Sequence, residues 1–192
     1  MYQYDFHILD YEPDITQFVD ISVNSSSAVA IDEDGEVQDL RKEGLLPVII
    51  QHGGGMDAQD FLTYATYTGG ISWVLQLYDR GYDVFLPNNR GTRYSNVNAR
   101  DTGDDAWTEQ ERWAFTYADY GRSDQPAFIE KALEVSGAEK LTYIGYSAGS
   151  AQMFYGAATE PEYFEEKLNR FVALAPCLIS FFYTPEELIA NY

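Results

Sequence analysis

The run Leu141-Thr142-Tyr143-Ile144-Gly145-Tyr146-Ser147-Ala148-Gly149 constrains this chain more than any other. An apolar stretch ends abruptly in Gly-x-Ser-x-Gly, and small residues then continue into a helical pattern. The reading is a strand that turns sharply into a helix with a serine at the apex. The spacing has a steric cause. In so tight a turn the residues two before and two after the serine press on their neighbours, so glycine fits where a Cβ does not. The turn leaves the Ser147 Oγ exposed and aims the Ala148 N–H at the same point in space. On its own the five-residue pattern also occurs in ordinary loops. The strand before it and the helix after it make it informative here.

The 192 residues suffice for one domain with a sizeable core. A hydrophobic content of 45% with 16% aromatics excludes disorder. The longest apolar runs, at 171–174 and 178–183, are too short to cross a bilayer, so no stable membrane insertion is expected. No basic segment followed by an apolar one opens the chain, and no signal peptide is visible. With 31 acidic against 12 basic residues the net charge is −19, which argues against nucleic acid or an anionic membrane as a partner. A single cysteine, Cys177, rules out an internal disulfide and a cysteine-rich zinc site. It follows a strand-like apolar run and is read as a small buried hydrophobe.

Residues 1–45 form a poorly patterned leader, with a strand expected over 15–23 and a turn over 24–27. Asn24-Ser25-Ser26 fits a glycosylation acceptor, relevant only in a secreted chain. Asp32-Glu33-Asp34-Gly35-Glu36 resembles part of a calcium loop, but no acidic residue precedes it by two and position 41 is Arg, so a calcium site is rejected. From Leu46 the pattern is regular. A strand at 47–51 leads to His52-Gly53-Gly54-Gly55. A helix carrying Ile71, Val74, Leu75 and Tyr78 stops at Gly81. A strand follows at 82–86, then a polar loop over 88–105 and an aromatic segment around Trp107 and Trp113. Asp124 and Pro126 start a helix with Phe128, Ile129, Ala132 and Leu133 on one face, closed by Gly137. The strand before Ser147, a helix over 148–159 and a strand over 170–175 complete the series. Strands alternating with helices through short connections predict a doubly wound, mostly parallel α/β sheet.

Acyl transfer through a serine needs an oxyanion hole, usually two backbone N–H groups. Ala148 supplies one as the residue after the nucleophile. The other comes from an earlier strand–helix loop, where esterases carry His-Gly motifs, and His52-Gly53-Gly54-Gly55 stands in that place. His52 is one of two histidines. In this arrangement the base follows the acid, in the order Ser…Asp/Glu…His, so His52 is read as a brace for its own loop. No histidine follows Ser147, and His7 lies in the leader. A serine without such a base is a weak nucleophile at neutral pH.

Three segments carry a resemblance to the acid lipases, the gastric and lysosomal lipases and their relatives. The first is Leu46-Pro47-Val48-Ile49-Ile50-Gln51-His52-Gly53. The second, residues 81–95, is similar to the family's G-Y-D-V-W-x-x-N-x-R-G-x-x-Y-S, and the third is Trp113-Ala114-Phe115-Thr116-Tyr117 followed by Asp124-Gln125-Pro126-Ala127. Phe171-Val172-Ala173-Leu174-Ala175-Pro176 also matches, so the resemblance spans about residues 45–180. It implies a fold of the α/β-hydrolase type lacking its C-terminal strands and cap. Residues 1–192 would be the N-terminal part of one domain, with 179–192 as the start of the cap. It implies Gly54 as the second oxyanion donor, no metal or organic cofactor, a lipid ester as substrate, a triad Asp and His beyond residue 192, and a secreted or lysosomal location. The chain departs from the family at the elbow, where G-H-S-Q-G is usual but Tyr146 and Ala148 stand, and at Gly54-Gly55 in place of H-G-L-L. Both changes touch lipid preference more than acyl chemistry, because backbone N–H groups do not depend on the side chain. Two rival readings remain: an inactive hydrolase-fold scaffold and a soluble short-chain esterase of the His-Gly-Gly-Gly type. Arg90 is expected to be structural, with Asp124 as a partner, together with Asn89 and Tyr94. The apolar cluster Leu178, Ile179, Phe181, Phe182, Tyr183 and an unpaired sheet edge are expected to make the 192-residue chain self-associate.

Overall fold

A computed structural model describes residues 7–10, 29–31, 37–39, 45–68, 72–95 and 108–177. In chain order it contains β1 (His7–Asp10), β2 (Val29–Ile31), β3 (Val37–Asp39), β4 (Val48–Gln51), α1 (Ala58–Thr68), α2 (Trp73–Asp79) and β5 (Val84–Asn88). Then come α3 (Glu109–Arg112), α4 (Tyr117–Asp119), a π-helical turn (Tyr120–Asp124), α5 (Gln125–Ser136), β6 (Leu141–Tyr146), α6 (Ala148–Thr159), α7 (Pro161–Lys167) and β7 (Leu168–Leu174). Five strands make one sheet in the order β1-β5-β4-β6-β7, and β2 and β3 form a separate antiparallel pair. All four pairings in the large sheet are parallel. The doubly wound architecture read from the strand–helix alternation is therefore present.

The alternation of side chains along each strand builds two cores. Val48 and Ile50 of β4 and Val84 and Leu86 of β5 face α1 and α2, packing with Ala58, Phe61, Val74 and Tyr78. Ile49, Phe85, Leu141 and Tyr143 face the other way, onto Phe128, Ile129, Ala132 and Leu133 of α5, Met153 of α6 and Phe164 of α7. All four residues of β4 are buried, as a central parallel strand covered on both faces requires. The α5 face is the one predicted from its spacing, and Gly137 ends the helix in the left-handed conformation, φ 69°. The chain order reverses direction across the sheet between β4 and β6. Crevices at the carboxyl ends of strands open at such a switch point.

Several expectations fall outside the described residues: the strand at 15–23, the turn and acceptor at 24–27, residues 32–36, Ile71, residues 96–105 of the 88–105 loop, Trp107, and the cluster and cap entrance beyond 177. Among the elements not anticipated from sequence are α1, which begins two residues past the glycine run, and β1, which pairs in parallel with β5, His7 opposite Phe85. The β2–β3 pair, α3, α4, the π-helical turn and α7 were likewise not read from the sequence. One expectation is corrected. Cys177 is exposed, not buried. It follows β7, which pairs only with β6 among the described residues, so the apolar run before it lies at an edge, with Phe171 half-buried against the core and Val172 and Leu174 exposed.

Candidate active site

Strand β6 ends at Tyr146 and α6 begins at Ala148, so Ser147 alone makes the turn. Its backbone stands at φ 51°, ψ −113°, a region that L residues avoid, at a cost of about 1–3 kcal/mol. Such strain persists only where the surroundings over-determine it. The Ser147 N–H donates to the Leu174 carbonyl at 2.9 Å, and the Ser150 N–H donates to the Ser147 carbonyl at 3.0 Å. The fully buried Ser150 hydroxyl donates to the Gly145 carbonyl at 2.6 Å, clamping strand to helix across the turn. Both flanking glycines are sterically required. A Cβ at Gly145 would lie 2.7 Å from the Ser150 nitrogen, and one at Gly149 would lie 2.7 Å from the Gln51 carbonyl oxygen.

The second contact in that pair brings in the loop after β4. The carbonyls of Gln51 and His52 press on Gly149, and a Cβ at Gly53 would sit 3.2 Å from the Ser147 Cβ. A Cβ at Gly54 would lie 3.7 Å from that of Ala148. The two residues read from sequence as oxyanion donors are thus neighbours in space. Ala148 also occupies the first turn of α6, where backbone N–H groups have no partner within the helix and attract negative charge. The Ser147 side chain makes no capping bond to that turn.

His52 is nearly inaccessible, with both ring nitrogens engaged. The Asn89 N–H donates to Nε2 at 3.2 Å, which makes Nε2 an acceptor and assigns the proton to Nδ1, 2.8 Å from the Gly53 carbonyl. Burial pushes its pKa below the usual histidine range, against the upward pull of the Gly53 carbonyl, Asp57 and Asp60. A neutral imidazole held at both nitrogens serves as a brace and has no free nitrogen to take a proton from Ser147.

The loop after β5 is fixed from several sides. Asp124 is fully buried and receives Arg90 three times: Nε at 2.7 Å, Nη2 at 2.6 Å and the backbone N–H at 3.1 Å. Burial nevertheless pushes its carboxyl up to about 6, with Arg90 opposing. Asn88 accepts the Ala58 N–H at 2.9 Å, tying the start of α1 to the end of β5. Tyr94 donates to the Gln59 side chain, and Arg93 pairs with Asp57 at 2.7 Å. The expected partnership of Arg90 with Asp124 is present. A cleft of about 640 Å³ opens beside Gly54 and Ala148 and reaches an aromatic wall of Trp113, Phe115 and Tyr117.

The sequence reading missed a buried polar layer beneath the elbow, made by Gln51, Asn89, Gln125, Tyr143 and Gln152. A signal existed: Gln125 stands three and four residues before Phe128 and Ile129, on the same buried stripe of α5. Among the described residues no cluster of three or more His, Cys, Asp or Glu side chains is arranged to hold a metal ion, and no helix is long and apolar enough to cross a membrane.

Comparison with known proteins agrees with this fold. The family model for the alpha/beta hydrolase fold matches residues 47–190. A probable lipase of Schizosaccharomyces pombe is 41% identical over 105 residues, 55% of this chain and 21% of that protein. Lipase member M of Mus musculus is 35% identical over 138 residues, 71% of this chain and 31% of the relative. The gastric triacylglycerol lipase of Mus musculus is 34% identical over 127 residues, 66% of the chain and 30% of that enzyme. In each, the match spans less than a third of the relative's length.

Proposed function

The chain belongs to the alpha/beta hydrolase fold family and is acid-lipase-like, and on that footing we propose that it carries the nucleophilic half of a serine hydrolase acting on carboxylic esters of lipids, acylglycerols or sterol esters. Ser147 attacks the ester carbonyl. The tetrahedral oxyanion is held by the N–H groups of Gly54 and Ala148, and collapse expels the alcohol and leaves an acyl-enzyme on Ser147. Water then releases the acid through the same two donors. The base for both steps is a histidine oriented by an aspartate, contributed from outside these 192 residues. His52 is committed to Gly53 and Asn89, and no histidine follows Ser147. Residues 1–192 are read as the N-terminal part of one domain, in a protein acting in a secreted or lysosomal setting.

The observation that carries this reading is the strained Ser147 between a strand and a helix, with Gly53 and Gly54 packed on the same turn. The full-length protein is assayed on glyceryl esters of short and long acyl chains. Ser147→Ala should abolish turnover down to the residual, roughly 10³–10⁴-fold over water, that binding and an oxyanion hole supply without a triad. The 192-residue chain alone should be as poor. Preference for long chains supports the lipid reading, and preference for short ones favours the soluble-esterase rival. A full-length protein without Ser147-dependent turnover is the inactive scaffold. Robust Ser147-dependent turnover by residues 1–192 alone would mean that His52 or His7 is the base.

A further inference from the structure

We propose that Gln125, remote from any reacting atom, is a positioning residue that holds the elbow and the oxyanion loop in register; the proposal rests on the serine-hydrolase reading above. Its side chain is fully buried at the start of α5, beneath the carboxyl ends of β4 and β6. Its Nε2 donates to Gln152 Oε1 at 2.8 Å and to Gln51 Oε1 at 3.3 Å. Its Oε1 lies 2.8 Å from the Tyr143 hydroxyl, which is also 3.1 Å from the Gly149 carbonyl. Burial pushes the Tyr143 phenol well above its ordinary range, so it stays a donor, with one proton directed at these two acceptors.

Each partner belongs to a different piece of the site. Gln51 is the residue before His52 and the glycine run. Gln152 is in the second turn of α6, and its Oε1 also receives Asn89 Nδ2 at 3.2 Å. Asn89 is the residue whose backbone N–H fixes His52. Gly149 closes the elbow. One amide therefore ties together the segment that presents Gly54 and the helix that presents Ala148. The Ser147 clamp provided by Ser150 does not do this, because it stays within the elbow itself.

Apolar side chains of similar volume would fill this layer without the desolvation cost of burying so many amides. What amides add is direction: hydrogen bonds fix distances between segments that dispersion alone lets slide. The spacing of the two oxyanion donors matters most when charge develops on the carbonyl oxygen, and much less when the neutral ester binds. Loss of Gln125 should therefore appear in kcat and leave KM in place.

The test uses the full-length protein with Gln125→Leu and Gln125→Glu, and Tyr143→Phe as a milder change. In Gln125→Leu, kcat should fall by about tenfold to a hundredfold, the loss expected of sub-ångström to ångström misplacement, with KM within about twofold. In Gln125→Glu the carboxylate cannot donate to Gln152 but its protonated form can. Its kcat relative to the native protein at each pH should recover as pH falls, whereas Gln125→Leu should not. Tyr143→Phe should lower kcat by a few-fold at unchanged KM. If Gln125→Leu fails to fold, the pH recovery of Gln125→Glu decides alone. Variants that melt earlier but keep native kcat, or that lose activity through KM, overturn the positioning role. If the native protein itself shows no Ser147-dependent turnover, the hydrolase reading fails instead.

Discussion

Strand β6 has two neighbours, and they could hardly differ more. On one side β4 is buried along its whole length, and beyond its end the Gln125 layer and Asp124 are sealed and hydrogen-bonded. On the other side β7 runs Leu-Asn-Arg-Phe-Val-Ala-Leu, comparably apolar, yet Val172 and Leu174 remain 38% and 37% exposed. Ser147 leans on both: on the β4 side through the close approach of Gly149 to Gln51, on the β7 side through its N–H bond to Leu174. Apolar sequence alone therefore does not bury a strand; a covering layer does. The geometry of the nucleophile rests on one neighbour that is buried along its length and one that, among the described residues, has no strand on its outer edge.

The largest effect is expected deep on the β4 side. Arg90→Ala leaves the fully buried Asp124 without its guanidinium, and stranding a buried charge in this way costs about 3–5 kcal/mol. For a protein of this size that is roughly 10 °C in Tm, with little change in KM. The pH dependence has a definite sign. Asp124 titrates at about 6 when folded, above its usual value of 3.8, so the folded state binds the extra proton across that window. Its contribution to stability is full below 3.8 and is lost as pH rises through about 6. Removing Arg90 pushes the folded value higher still. The deficit of Arg90→Ala should therefore be larger at pH 7.5 than at pH 5, measured by thermal melts at both. An equal deficit at both pH values would mean that Asp124 stays ionised throughout and that burial does not govern it. A variant that melts normally but loses substrate affinity would move this loop into the binding site.

A middle-sized effect tests the contact between elbow and oxyanion strand. Gly149→Ala places a methyl against two backbone carbonyls, at 2.7 Å from Gln51 and 2.8 Å from His52, where no flexible side chain is available to give way. Overpacking of this kind costs about 1–3 kcal/mol. Ester turnover by the full-length protein should fall further than stability does, because the backbone that must move carries Gly53 and Gly54. Native melting with native turnover would show that β4 and α6 are less tightly joined than these distances state.

What could be read from the sequence follows the same division. Strands β4, β5 and β6 and helices α5 and α6 were legible because their signals are local: apolar runs, Pro126 near the start of a helix, Gly137 at its end, two glycines around Ser147. The brace role of His52 and the Arg90–Asp124 partnership were legible as chemistry. Helix α1 was missed because its sequence, Ala-Gln-Asp-Phe-Leu-Thr-Tyr-Ala-Thr-Tyr-Thr, is poor in strong helix formers and begins just past a glycine run. Strand β1 is four residues long, too short to show a period. The Gln125 layer depends on residues as far apart as 51 and 152, which no local pattern records. Cys177 was misjudged because burial was inferred from the apolar run before it, and burial of an edge is decided by what covers it.

The smallest mutational effect belongs to the β7 side. In the 192-residue chain, Val172→Thr should change stability by no more than about 0.5 kcal/mol, as surface substitutions do, whereas burial of the same valine would make the loss of its methyl several times more costly. Its larger consequence is intermolecular. Strand β7 presents apolar side chains and, among the described residues, an edge with no neighbour, the combination that templates pairing between chains. The net charge of −19 opposes association over roughly 8–10 Å at ordinary salt and over much less at high salt. Light scattering on the 192-residue chain should therefore show dimers or larger species whose share rises with salt, and Val172→Lys with Leu174→Lys should reduce that share by placing charge on the edge. The full-length protein, if it covers β7, should not respond to salt in this way. A monodisperse monomer at tens of micromolar in high salt would show that the β7 side is closed within residues 1–192, and that the two neighbours of β6 are more alike than their exposures indicate.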